Sequence, residues 1–168
     1  MDALEQIKKW RQELHQIPEP GLHEYKTSKY LKTELLKMGY QPITILKTGV
    51  LVYIDNGYDK TLAFRSDIDA LKIKEETKCS FISQHDGYMH ACGHDIHMTV
   101  ALGVLAYFAT TRPKDNLIFF FQPAEESKNG GKLAYELGVF SGKWRPDEFY
   151  ALHDAPELPA GAIGCNLG

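Results

Sequence analysis

The run His90-Ala91-Cys92-Gly93-His94-Asp95-Ile96-His97 gathers the side chains in this sequence best suited to hold a metal ion. Four of the seven histidines (His85, His90, His94, His97) and one of the three cysteines, Cys92, fall between positions 85 and 97. Imidazole and thiolate are the usual ligands of zinc-like metals, and a carboxylate such as Asp95 can join them or orient a neighbour. A core histidine is lone, sits on an apolar face and is satisfied by a backbone partner. A cluster this dense in a small-residue loop reads as a metal site, with a polar loop of similar composition as the alternative.

Carboxylates that could complete such a site stand elsewhere. Hydrolytic metal sites need one carboxylate to hold the metal and another, free one to take a proton from the attacking water. Glu125 and Glu126 follow a buried-looking strand and Pro123, and adjacent side chains diverging from a turn can divide those two tasks. Asp67 and Asp69 alternate, so on a strand they would face the same side. A pair of turn aspartates with purely structural work fits their spacing equally well.

The elements that must bring these groups together follow from periodicity. Leu4, Ile7, Trp10, Leu14 and Ile17 recur at helical spacing, which predicts a helix over 3–16 stopped by Pro18 and Pro20. His15 and His23 flank that stop and read as surface or capping histidines. A second helix covers about 25–38, with Gly39 as its stop. Strands are expected at Ile43–Leu46, Val50–Ile54 and Thr61–Phe64, the last two joined as a hairpin through Asn56-Gly57. Helix returns at about 96–109. Leu117-Ile118-Phe119-Phe120-Phe121 is an unbroken apolar run, as expected of a strand covered on both faces. A short helix near 130–138 and a strand at Phe149–Leu152 follow. Strands alternating with helices predict an α/β fold, a mixed, mostly parallel sheet sandwiched by helices.

Three of those strands hand over directly to ionisable groups: Thr61–Phe64 to Arg65, Asp67 and Asp69, Leu117–Phe121 to Glu125 and Glu126, and Phe149–Leu152 to His153 and Asp154. In open α/β sheets ligands bind outside the carboxyl ends of the strands. The three groups and the histidine-cysteine loop are therefore expected to meet at one edge of the sheet.

Composition narrows the function. The 168 residues suffice for one domain with a real core, and hydrophobic and charged contents of 43% and 24% are those of a soluble globular protein. A net charge of −3 argues against a nucleic-acid surface. The three cysteines follow no paired spacing, which suits a reducing cytoplasm. The first residues, MDALEQIKKW, lack the apolar core of a signal peptide. The longest apolar run, Val100 to Ala109, falls short of the roughly 20 residues that span a bilayer, so no membrane association is expected.

Taken together, Leu14-His15-Gln16-Ile17-Pro18-Glu19, Arg65-Ser66-Asp67-Ile68-Asp69-Ala70-Leu71, the His90–His97 run, Phe121-Gln122-Pro123-Ala124-Glu125-Glu126 and Leu152-His153 resemble the metal-dependent amidohydrolases. That family includes aminoacylases, hippurate hydrolases and auxin-conjugate hydrolases, and is related to the zinc carboxypeptidases. The matches cover essentially the whole chain in family order. The resemblance implies a zinc-exopeptidase-like catalytic domain holding two divalent ions (Zn, Mn or Co), with Cys92, His94, Glu126 and His153 as ligands and Cys92 bridging. It makes Glu125 the proton acceptor and Asp69 the second catalytic residue. Asp67 stands where the carboxypeptidase branch has a metal-binding histidine, a departure that leaves it outside the implied ligand set. The run Tyr150–Ile163 is most similar to members that hydrolyse the N-acetyl amide of N-acetyl-LL-2,6-diaminopimelate in bacterial lysine synthesis. Other N-acyl-amino-acid amidohydrolases, or a non-catalytic metal-binding module, are the alternatives.

Family members are more than twice this long. The resemblance thus makes residues 1–168 the N-terminal part of an incomplete catalytic domain. Its dimerisation and lid domain and its C-terminal end are missing, and Gly161–Gly168 reads as mid-strand. The full-length form is expected to be a cytoplasmic homodimer acting on a small N-acetyl amino acid.

Overall fold

The computed structural model describes residues 2–165. In chain order the elements are α1 (Ala3–His15), α2 (Tyr25–Lys37), β1 (Ile43–Ile45), β2 (Gly49–Ile54), β3 (Thr61–Asp67), α3 (His94–Phe108), β4 (Asn116–Gln122), α4 (Glu125–Lys128), α5 (Gly130–Glu136), a 3-10 turn (Gly142–Trp144) and β5 (Glu148–Ala151). The unbroken apolar run within β4 has no face to give to water, and β4 accordingly lies at the centre of a five-stranded sheet ordered β1-β2-β4-β3-β5. β3, β4 and β5 are mutually parallel, while β2 runs antiparallel to both β1 and β4. Four of the five strands therefore point the same way.

Side-chain alternation divides the apolar residues between two layers. Phe119 and Phe121 of β4 and Val50 and Val52 of β2 pack under α1, α2 and α3, against Trp10, Leu14, Leu31, Leu35, Met98, Leu102 and Leu105. Ile118, Phe120 and Leu51 point the other way, against Ala134 of α5, Val139, Phe140 and Trp144. The sheet is thus sandwiched as the sequence predicts. Tyr30 donates to Glu13 (2.5 Å) and Trp10 to Glu34 (2.9 Å), tying α1 to α2. No helix among the described residues is long and apolar enough to cross a membrane.

Two expectations need correction. β2 and β3 do not form a hairpin, because β4 lies between them, pairing Leu51 with Phe120 on one edge and Phe64 with Phe119 on the other. A doubly buried strand needs a partner on each edge, and that demand outweighs the local turn signal of Asn56-Gly57. The connecting loop is instead fastened across the start of β4. The Asn116 side chain accepts the Asn56 N–H (2.9 Å) and donates to the Tyr58 carbonyl (2.5 Å). Secondly, Gly161–Cys165 carry no strand pairing, and Asn166–Gly168, the rest of the expected strand, lie outside the described residues. Smaller shifts bear on chemistry: β3 runs on to Asp67, and α3 begins at His94, two residues before the apolar periodicity starts.

Candidate metal centre

Because β3, β4 and β5 are parallel, their carboxyl ends share one edge, and Asp67, Gln122 and Ala151 close the strands there. The residues just beyond them, Asp69, Glu125, Glu126 and His153, converge with the amino end of α3. Gly93 makes the turn into that helix at φ 73°, a left-handed conformation favouring glycine, with the Asp154 carboxylate where a Cβ would stand.

Cys92, His94 and His153 each present a ligand atom, all within 4.8 Å of one another, and the Cys92 Sγ lies 3.5 Å from His153 Nε2. Glu126 Oε1 is 3.8 Å from His94 Nε2. Residues separated by up to 61 positions are thus brought to one point.

The donor chemistry fits a cation. His94 is buried; its Nδ1 donates to the Asp69 carbonyl (2.8 Å), so that in the neutral ring the Nε2 lone pair is free. That buried Nε2 has no hydrogen-bond partner among the described residues, an arrangement costly unless something else occupies the lone pair. Burial and the nearby Glu126, Glu125 and Asp154 carboxylates push the Cys92 thiol up to about 12. Acidic groups packed round a thiol are unfavourable in the protein alone, and a bound cation reverses the sign of that interaction. The ligand atoms of Asp67, His94 and His97, and of His94, Glu125 and Glu126, form two further sets within the same 4.8 Å.

Asp69 is fully buried and works on both sides of the centre. Its Oδ2 accepts the Glu126 N–H (3.0 Å), and its Oδ1 lies 3.3 Å from His94 Nδ1. Glu125 is half-buried at the mouth, 3.7 Å from the Arg65 guanidinium, which also holds Asp67 at 2.5 Å. His97 lies 3.4 Å from Asp67 and 3.5 Å from Asp154. His153 lines an adjoining cavity of about 730 Å3 with Ile96, Val100, Leu152 and the segment after it.

Not every histidine of the cluster joins. His85 accompanies Lys26 (2.8 Å) and the Pro18 carbonyl (2.8 Å) instead. His90 is buried, and burial lowers its pKa to about 4, so it stands as a neutral ring. Of the two histidines read as surface or capping residues, His23 is exposed but His15 is not. His15 faces Asp95 through Nδ1 (2.7 Å) and Glu75 through Nε2 (3.1 Å), while Arg11 holds Asp95 at 3.0 Å. A neutral surface histidine would waste that pairing; the buried Asp95 carboxylate requires it. Asp95 thus anchors α1 behind the Cys92–His94 loop.

The His15 network makes a pH prediction. The Asp95 hydrogen bond, opposed by burial and aided by Glu75, raises the His15 pKa above its ordinary 6.5. The folded chain therefore holds this proton more tightly than the unfolded chain. The resulting stability is complete below pH 6.5 and is lost as the pH rises through the folded value. Within that window the unfolding free energy falls by at most about 1.4 kcal/mol per pH unit. His15→Gln keeps a donor but cannot titrate, so it is expected to remove this component of the slope. Denaturant melts of metal-free wild type and variant from about pH 6 to about pH 9 check it, and parallel slopes contradict it.

A fold of this kind, with thiol, imidazole and carboxylate groups at the carboxyl edge of its parallel strands, is that of a metallopeptidase-type catalytic domain. The sequence profile of peptidase family M20/M25/M40 matches residues 63–168, and the chain belongs to that family. It is 54% identical over 170 residues to the N-acetyldiaminopimelate deacetylase of Limosilactobacillus reuteri, covering 98% of this chain and 45% of that protein. With the enzyme of the same name from Limosilactobacillus fermentum it shares 55% over 174 residues, covering 100% and 45%. Among solved structures, the Bacillus subtilis YXEP protein, described as a dinuclear metal binding peptidase of the M20 family, superposes with a TM-score of 0.90 at 36% identity. That match covers 98% of this chain and 46% of the other. The chain spans less than half the length of the curated relatives it matches.

Proposed function

We propose that this chain carries the metal centre of an amidohydrolase that removes the acetyl group from N-acetyl-LL-2,6-diaminopimelate. The convergence of Cys92, His94, His153 and Glu126 beside a free carboxylate, Glu125, carries the reading. The activity named for relatives more than half identical supplies the substrate. The four converging residues are the ones that would hold the metal in this reading. Divalent ions bound there would supply Lewis-acid activation of the acetyl carbonyl and of water.

The chain's own groups do the rest. Glu125 accepts the proton of the attacking water and returns it to the leaving amine, so that acetate and the free diamino acid depart. Arg65, at 3.7 Å, steers the Glu125 carboxylate. Asp69 holds the His94 ring with Nε2 facing inward and fixes the Glu126 backbone, so it serves the reaction by holding ligands in place. Residues 1–168 then form the first part of the catalytic domain. The remainder of a protein of the relatives' length supplies a lid and dimerisation domain and closes the site.

The experiment is hydrolysis by the full-length, metal-loaded protein of N-acetyl-LL-2,6-diaminopimelate and N-acetyl-methionine, followed as acetate release, and of hippurate, followed as benzoate release. Turnover favouring the first, abolished by chelator and restored by a divalent metal, is expected. Preference for either of the others reassigns the substrate within the same chemistry. No product from any of them overturns the hydrolase reading.

A further inference from the structure

Glu24 is fully buried and lies 100 residues from Ala124, yet its carboxylate reaches the turn that carries the glutamate pair. Glu24 Oε1 accepts the Ala124 N–H at 2.8 Å, and Oε2 accepts the Thr48 hydroxyl at 2.5 Å. Ala124 sits at φ 55°, a left-handed conformation that a Cβ-bearing residue adopts only when its surroundings force it. The next residue is Glu125. Gly21, on the same bend as Glu24, lies flat against this turn: a Cβ there would stand 2.8 Å from both Cα and Cβ of Ala124. The other end of the bend is fastened as well, since the Glu19 carbonyl accepts the Ala70 N–H (2.8 Å) and the Glu19 carboxylate accepts the Thr27 N–H (2.9 Å). The bend 19–24 thus grips the chain beside Asp69 and beside Glu125 at once.

We propose that Glu24 is a positioning residue, whose buried carboxyl holds the Ala124 amide and so fixes the turn from which Glu125 is presented. This rests on reading Glu125 as the proton acceptor. Glu126 has a second tether, the Asp69 carboxylate on its amide (3.0 Å), so loosening Ala124 disturbs Glu125 more than the ligand beside it. Burial raises the Glu24 carboxyl above the ordinary carboxylate range, against hydrogen bonds from Thr48 and backbone amides. An amide oxygen at this position can accept the Ala124 N–H as the carboxylate oxygen does.

The test uses the full-length, metal-loaded protein. Glu24→Ala is expected to lower kcat by about 100-fold, the scale of a displacement near 1 Å at a reacting group. Its KM and its affinity for zinc should change far less. Glu24→Gln, which keeps the acceptor, restores most of kcat. Amide exchange reports the brace without turnover: protection of the Ala124 N–H is lost in Glu24→Ala and kept in Glu24→Gln. If Glu24→Ala does not fold, Gly21→Ala presses on the same turn with every polar group intact, and is expected to lower both kcat and Ala124 protection. A folded Glu24→Ala or Gly21→Ala protein with wild-type kcat and wild-type protection overturns the proposal. So does a folded Glu24→Gln protein as slow as the alanine variant. Should the wild type release no acetate, the hydrolase reading fails by itself and the exchange series still decides the brace.

Discussion

Glu125→Gln in the full-length protein is expected to leave fold and metal content intact while lowering kcat by about 10²–10⁴-fold, the usual worth of a positioned acid-base group. The amide is nearly isosteric and keeps an oxygen facing the Arg65 guanidinium, 3.7 Å from the present carboxylate. It cannot accept a proton from water. The neighbouring Glu126, at 3.8 Å from His94 Nε2, points into the ligand set, so it is not free to substitute. Metal analysis beside steady-state kinetics separates the two roles. Glu125→Gln should bind metal with low kcat and little change in KM, whereas Glu126→Gln should lose metal first. Near-normal turnover by Glu125→Gln removes the proposed proton acceptor, and loss of metal from it reassigns Glu125 as a ligand.

The ingredients of that chemistry are legible in the sequence because they are local. Cys92, His94 and His97 lie within six residues, and no apolar face explains them. The carboxyl-edge convergence is legible for a second local reason: three apolar strand-like runs each end in ionisable groups, and parallel pairing of β3, β4 and β5 aligns those ends. Neighbour order within the sheet is not legible. The Asn56-Gly57 turn favours pairing of β2 with β3, and only the need of β4 for two covered edges decides otherwise. Supporting residues are hidden for a related reason. His15 and Glu24 are single polar residues flanking a bend rich in proline and glycine, and their partners Asp95 and Ala124 lie 80 and 100 residues away. A lone acid in a bend, or a lone histidine at a helix end, carries no periodicity. Its meaning comes from burial, which only the assembled chain creates.

Gly130→Ala is expected to damage the centre without altering any group proposed to hold metal or move a proton. Gly130 is buried at the start of α5, where the chain turns back over the strand end, and its N–H donates to the Ala124 carbonyl at 3.1 Å. A Cβ at this position would lie 2.9 Å from the Pro123 carbonyl carbon and closer still to its oxygen. Both are backbone atoms, so no side-chain rotation relieves the overlap. Either α5 lifts off the sheet, uncovering Ala134 and its apolar neighbours, or the 123–126 turn moves and carries Glu125 and Glu126 with it. Overpacking of this kind costs about 1–3 kcal/mol and more where backbone must shift. Denaturant melts should therefore show a destabilisation of at least about 2 kcal/mol, and the folded fraction should have a kcat lowered by about 100-fold, as for any misplacement near 1 Å. Gly131 next door offers a control. The atoms nearest a Cβ there belong to the Gln122 side-chain amide, 2.7 Å to its oxygen, which is the end of a side chain and not backbone. Gly131→Ala should therefore cost little in either measurement, and equal damage from the two alanines would mean that close backbone approach at Gly130 does not set the turn.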